Sequence, residues 1–226
     1  MKPNLWPLGF CLALVALEAQ GAAPAPVKAV GSVQLKDAAG DMGPIGTSAG
    51  EEPPLDVVLL DVKSGAGRLD LVATLAGPPG SFATSPIRLY IDVDNNPATG
   101  IKMFGGGPTG FEYVAELDMC INYSDGSVAC HGGASKAKPT SRYAAVELKR
   151  FKGESEYEND TVVDAMGFPG SKAAVQTPVT GNVVAAGVEL ADLKLKAGQT
   201  IRLLAKESGG SPKDDGYFPV VLLTLK

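Results

Sequence analysis

The chain is poor in the residues that most often carry chemistry. It holds one histidine, one tryptophan and three cysteines among 226 residues, and only 6% of them are aromatic. A single histidine, His131 in "CHGG", cannot build a histidine metal site. No serine elbow on a strand-to-helix turn accompanies it, so a nucleophilic triad has no support, and a lone loop histidine is usually solvated. Two of the cysteines, Cys120 and Cys130, stand too far apart for a CxxC redox motif and too few for a zinc site. An excess of positive charge is also lacking: 20 Lys and Arg stand against 25 Asp and Glu, a formal net charge of −5 with no basic cluster, which speaks against nucleic acid and anionic membranes as partners. No repeat, long linker or change of composition divides the chain, which argues for one domain.

What is present begins with a leader. Lys2 is followed by "LWPLGFCLALVALEA", an apolar run too short to span a bilayer, and then by the small residues of "QGAAPAP". That order predicts a secretory signal peptide over residues 1–23, leaving 24–226 as a single secreted domain, extracellular or periplasmic. Trp6 and Cys11 are lost with the leader. In an oxidising compartment the remaining Cys120 and Cys130 read as one disulfide. Between them Ser124-Asp125-Gly126 makes a three-residue hairpin loop, with Gly126 left-handed, that sets the two cysteines opposite each other. Closing so short a loop contributes about 2–4 kcal/mol in the chain-entropy picture.

Apolar and β-branched runs recur between clusters of Gly, Pro, Asp and Ser, as in "LDVVLLDV", "RLDLVATLA", "IRLYIDVD", "FEYVAELDMCINY", "NVVAAGVEL" and "TIRLLAKE". The spacing predicts an all-β fold, an antiparallel β-sandwich of jelly-roll type, with at most one helical turn in "LADLKLKAG" ended by Gly198. Period-two alternation places Leu89, Ile91 and Val93 on one face and Tyr90, Asp92 and Asp94 on the other. It likewise separates Phe111, Tyr113, Ala115, Leu117 and Met119 from Glu112, Glu116 and Asp118. Each strand would then have a core face and an acidic face. If the two strands are neighbours, Asp92, Asp94 and Glu112 meet at the loop.

Three carboxylates held within about 5 Å repel unless a cation, a proton or spacing relieves them. Calcium takes six to eight oxygens, and "DVDNNPATG" offers Asp92, Asp94, Asn96, Thr99 and loop carbonyls. The loop is no EF-hand: Pro97 stands where glycine is required, and Met103 where the bidentate glutamate should be. The competing reading is a solvated acidic loop in which Asp94 and Asn95 bond the local backbone. A second acidic stretch, "KDAAGDMGPIGTSAGEEPPLD", adds Asp37, Asp41 and Asp56 as further candidate metal ligands, with Glu51 and Glu52 nearby.

Taken in order, "KDAAGDMGPIGT", "PLDVVLLDVKSGAGRLDLVATLAG", "LYIDVDNNPATG…GFEYVAELD" and "VELADLKLKAGQTIRL" with "DDGYFP" resemble secreted domains related to the C-terminal module of glucodextranase and pullulanase-type enzymes. These are grouped with DOMON-like and family-nine carbohydrate-binding sandwiches. The resemblance runs from about Lys36 to the end of the chain. Asp37, Gly40, Asp41, Gly43 and Pro44 match its first turn, and Asp92, Asp94, Thr99, Gly100 and Glu112 match its second acidic segment. It implies a β-sandwich acting as a binding or accessory module beside secreted or surface enzymes. The first turn departs from the pattern, with Ile45 and Ser48 near the place where tyrosines usually follow.

Three roles follow. The first is a non-catalytic binding domain stabilised by calcium, with polysaccharide as the ligand and Tyr90, Tyr123, Tyr143, Tyr157 and Tyr217 as the available stacking platforms. The second is a surface or matrix domain that binds extracellular protein. The third is a hydrolase using Asp92 and Glu112 as acid and base, which requires one carboxyl with a raised pKa in a dry cleft.

Overall fold

A computed structural model describes residues 25–37, 39–40, 42–43, 45–47, 50–52, 55–79, 84–102, 109–130, 135–208, 211–212 and 217–226. The expected leader, Asp41, Pro44, Ser48, Met103 and His131 lie outside them. Among the described residues no helix is long and apolar enough to cross a membrane.

Eleven longer strands carry the fold: β1 (Val27–Val30), β2 (Ser32–Lys36), β3 (Val57–Gly65), β4 (Arg68–Leu75), β5 (Thr84–Asp92), β6 (Tyr113–Tyr123), β7 (Pro139–Phe151), β8 (Asn159–Asp164), β9 (Val183–Glu189), β10 (Thr200–Glu207) and β11 (Val221–Thr224). They hydrogen-bond in the order β8-β7-β6-β5-β10-β11-β1-β2-β3-β4-β9. This path doubles back on itself, so β9 at its far end packs across onto β6 and β7. The result is a β-sandwich. The pairings are antiparallel except for two: β1 runs parallel to β11, and β8 parallel to Lys172–Ala173.

Between the layers lies one large core. Leu60, Val62, Leu69, Leu71 and Val184 from one layer meet Leu89, Ile91, Ala115, Leu117, Met119 and Val146 from the other. The alternation in "RLDLVATL" survives intact, since β4 alternates buried and half-buried positions along its whole length.

The acidic outer face expected of β5 and β6 is not a solvent face. Nearly every residue of β6 is buried, on both sides. A second, smaller core of Tyr90, Ile101, Phe111, Val114, Phe151 and Leu204 covers the outside of these strands. Phe111 therefore departs from its expected place beside Tyr113. It ends a short strand, Thr109–Phe111, and the chain breaks register at Glu112 before β6 begins, which turns Phe111 to the outer layer. The expected helical turn in "LADLKLKAG" is a run of overlapping turns, with Lys194 at φ 59° and Leu195 N–H donating to Leu190 O at 2.8 Å.

The cysteine hairpin forms as expected. Ile121 pairs with Ala129, Gly126 takes φ 82°, and Cys120 and Cys130 are disulfide-bonded with their Cα atoms 4.2 Å apart.

Candidate metal centre

The register of three strands builds the acidic centre. Tyr113 of β6 pairs with Ile91 of β5, and Glu112 N–H donates to Ile91 O at 3.1 Å, which sets Glu112 beside the end of β5. On the other flank Arg202 of β10 stands directly opposite Asp92. Cross-strand neighbours of opposite charge sit close enough to bond, and Arg202 Nε reaches Asp92 Oδ2 at 2.8 Å. Asp92 is fully buried, so this pairing is what makes its ionisation tolerable.

After Asp92 the chain turns sharply. Asp92 Oδ1 and Asp94 Oδ1 both accept from Asn96 N–H, at 3.1 and 2.9 Å. Asn95 adopts φ 53°, a left-handed conformation that asparagine tolerates better than most residues. Asn96 spends its side chain locally, its Oδ1 accepting from Ala98 N–H at 3.1 Å. The turn bonding anticipated for Asp94 is therefore present, with Asn96 making the second local bond in the place expected of Asn95. It also aims other oxygens inward: ligand atoms of Asp92, Asp94 and Glu112 lie within 4.8 Å of one another.

The Thr99 hydroxyl sits among these oxygens. Its Oγ1 lies 2.8 Å from Glu112 Oε1, 2.9 Å from Asn96 O, and 3.2 and 3.3 Å from the two oxygens of Asp94. A hydroxyl has one proton to give. Two of these four acceptors also take a backbone N–H, Asp94 Oδ1 from Asn96 at 2.9 Å and Asn96 O from Thr99 at 3.1 Å, which leaves Glu112 Oε1 and Asp94 Oδ2 to share the one hydroxyl proton. Glu112 Oε2 takes Val93 N–H at 2.9 Å, which fixes the carboxylate but leaves Oε1 facing the cluster.

Electrostatics reflect the crowding. Burial pushes the Glu112 carboxyl above its usual range, against the lowering effect of the bonds from Val93 and Thr99, and the charges of Asp92 and Asp94 push the same way as burial. Asp92 is raised as well, burial outweighing the help of Asn96 and Arg202. With the folded pKa above the unfolded one, the metal-free protein loses stability as pH rises through that window and regains it on acidification. In chelated protein the melting-temperature difference between wild type and Glu112→Gln is expected to shrink as pH falls through the raised pKa. A difference that stays constant from neutral pH down to the ordinary carboxylate range would refute this.

The remaining candidates are placed elsewhere. Asp56 is buried and its Oδ2 accepts from Gly40 N–H. Its neighbour Val57 donates to Glu207 Oε1 at 2.7 Å, at the end of β10 opposite to Arg202. Five residues of strand separate the two ends, roughly 17 Å, so Asp56 cannot share an ion with Asp92. Asp37 lies on the Asp56 side, its N–H donating to Val58 O at 3.2 Å. Among the described residues, Asp92, Asp94 and Glu112 form the one convergent group of three or more metal-ligating types.

Comparison with family models, with curated proteins and with solved structures gives no match.

The centre therefore has to be judged on its own chemistry. Three carboxylates and one guanidinium leave two net negative charges, which suits a divalent ion. The donors are all hard oxygens, and calcium, at about 2.3–2.6 Å from each, spans such a set without strict geometry, whereas magnesium demands a tighter octahedron. Arg202 escaped the sequence reading. Alternation in "TIRLLAKE" marks it as facing away from the main core, but its partner depends on a register that only the fold supplies. A G-x-S-x-G match over residues 46–50 also passed unnoticed. Its Ser48 lies outside the described residues, and the described residues on either side, Ile45–Thr47 and Gly50–Glu52, are paired strands.

Proposed function

We propose that this chain is a secreted, non-catalytic binding or accessory domain whose Asp92, Asp94, Thr99 and Glu112 cluster holds a calcium ion that fastens the loop before β6. The observation that carries the reading is the donor deficit at Thr99, whose one hydroxyl proton is shared by Glu112 Oε1 and Asp94 Oδ2, two carboxylate oxygens with no N–H donor among the described residues. A cation in their midst removes the repulsion and satisfies lone pairs that no N–H reaches. The motif resemblance to secreted sandwich modules supports the binding role, and the cysteine pair supports an oxidising destination.

By linkage, calcium at a hundred times its dissociation constant stabilises the fold by about 2.7 kcal/mol. Calorimetry on chelated protein is expected to show a higher melting temperature on adding millimolar calcium. Asp94→Ala is expected to abolish the increment, because Asp94 is exposed and contributes oxygens without holding the core. Asp92→Ala is the poorer test, since it strands Arg202. Identical melting curves with and without calcium would end this reading.

An extracellular protein-interaction role is the alternative, favoured by Met166, Phe168 and Val175, which are exposed by 41%, 57% and 56% in one segment. Pull-down from the native secretome with Phe168→Ser as the control separates the two.

A further inference from the structure

The second core of Tyr90, Ile101, Phe111, Val114, Phe151 and Leu204 closes over the outside of β5, β6, β7 and β10 and stops there. On β1 and β11 the same face of the sheet is open. Val30 is 64% exposed, more than any other valine, leucine or isoleucine among the described residues.

Register decides which side chains meet on that face. β1 runs parallel to β11 with Lys28 opposite Leu222 and Val30 opposite Thr224, and Thr200 of β10 lies opposite Thr224 from the other flank. Val221 and Leu223 point into the main core, so alternation turns Leu222 and Thr224 outward, and Lys28 and Val30 with them. Together with Ala29 these residues line a groove of about 450 Å³. That volume falls within the ~300–1,000 Å³ of small-molecule sites.

The polar groups of the lining are few and unspent. Lys28 is exposed, and its ammonium makes no ion pair among the described residues. Thr200 Oγ1 and Thr224 Oγ1 lie 2.9 Å apart. That contact uses one of the two hydroxyl protons, so the other remains to be donated. Lys28 and Thr224 are diagonal neighbours on one face, at the ~7–8 Å that a long side chain spans. A single acceptor group can therefore take both the ammonium and the spare hydroxyl proton.

What the lining lacks narrows the ligand. Among the described residues no carboxylate borders the groove, so a metal ion finds no oxyanion there. One cation and one hydroxyl proton are too few for a phosphate, which takes several charged donors. No ring lines it, so it offers no stacking face. The tyrosines considered as stacking platforms are mostly packing residues: Tyr90, Tyr123 and Tyr143 are buried, and Tyr217 is half-buried beneath Lys206 Nζ at 4.8 Å.

We propose that this groove binds a medium-chain aliphatic carboxylate, its hydrocarbon chain laid along Leu222 and Val30 and its carboxylate held by the Lys28 ammonium and the spare proton of the Thr200–Thr224 pair. Charge complementarity selects the head group: one unpaired cation beside an apolar floor suits one negative charge on an apolar body. The exposed valine and leucine select the tail, since covering them is the gain that lengthening the chain brings. Affinity should then rise with chain length until the groove is filled, by up to about fourfold per methylene. This goes beyond the calcium reading and makes no use of the ion.

The test is isothermal titration in the presence of chelator, so that no divalent ion takes part, with octanoate and decanoate below their micellar concentrations. Octanol and octylammonium serve as the uncharged and oppositely charged comparisons. Decanoate is expected to bind more tightly than octanoate, and octanoate more tightly than either comparison. Lys28→Gln should weaken decanoate by about tenfold, the size of a hydrogen bond to a charged group. Val30→Asp should abolish binding, and Phe168→Ser, at an exposed ring outside the groove, should leave it unchanged. Melting curves of the variants confirm that folding is intact, as expected of exposed positions. No binding of decanoate at millimolar concentration overturns the proposal, and so does octylammonium binding as tightly as octanoate or decanoate binding that Lys28→Gln leaves unchanged. Sedimentation showing a dimer that Val30→Asp dissociates would assign the groove to a second copy of the chain and overturn it as well.

Discussion

Arg202→Leu is expected to destabilise the metal-free protein by about 3–5 kcal/mol, the cost of leaving a buried carboxylate without its partner. Asp92 has no exposure and relies on Arg202 at 2.8 Å. The same guanidinium also donates Nη2 to Thr109 O and lies over the Phe111 ring, 5.0 Å from its centroid. Leucine preserves some of the packing on that ring and none of the charge. Calcium should then rescue the variant more than it stabilises wild type, because the ion meets three carboxylates with no competing cation. Urea unfolding with and without calcium reads both effects. A loss below about 1 kcal/mol, the size of a surface pair, would show that Asp92 does not depend on Arg202.

Gly110→Ala should cost about 3 kcal/mol or more, through backbone strain added to overpacking. Gly110 holds φ 93°, and a methyl group there would meet Pro97 Cα at 2.5 Å, Arg202 Nη2 at 2.6 Å and Asn96 O at 2.7 Å. Two of those three atoms belong to backbone and cannot rotate away. The informative control is Gly198→Ala, at φ 84° but facing open space, which should lose only the conformational penalty of about 1–2 kcal/mol. Equal midpoints for the two variants would mean that the loop before β6 yields where the structure shows it close-packed.

Much of this architecture can be read from local pattern. Strand positions and the cysteine hairpin with Gly126 follow from period-two alternation and turn chemistry, which act over a few residues, whereas the meeting of Asp92 with Glu112 was legible only on the condition that β5 and β6 are neighbours, which they are. The outer layer does not follow from local pattern. Tyr90, Val114 and Leu204 alternate with core residues as any half-exposed position would, and what buries them is sequence-distant: the strand at Ile101, Phe111, and Phe151 at the end of β7. For the same reason the clamp on Glu116, by Arg88 Nε at 2.9 Å and Lys149 Nζ at 2.6 Å, was invisible, since both reach it only through the pairing of three strands. A charged residue on a strand reads as solvent-facing until its neighbours are known.

The strand order has a consequence for how the molecule is made. Among the described residues β11 is the hydrogen-bonded bridge between β10 and β1, so it joins a half begun by β1 to β4 with a half centred on β5 to β7. A nascent polypeptide that has not yet emerged as far as Val221 lacks this keystone, and the pairing of Ser211–Pro212 with Met42–Gly43 is a much shorter backbone link between its halves. Closure of the sheet through β11 is thus a late, long-range event of the slow kind, set by the last strand of the chain order.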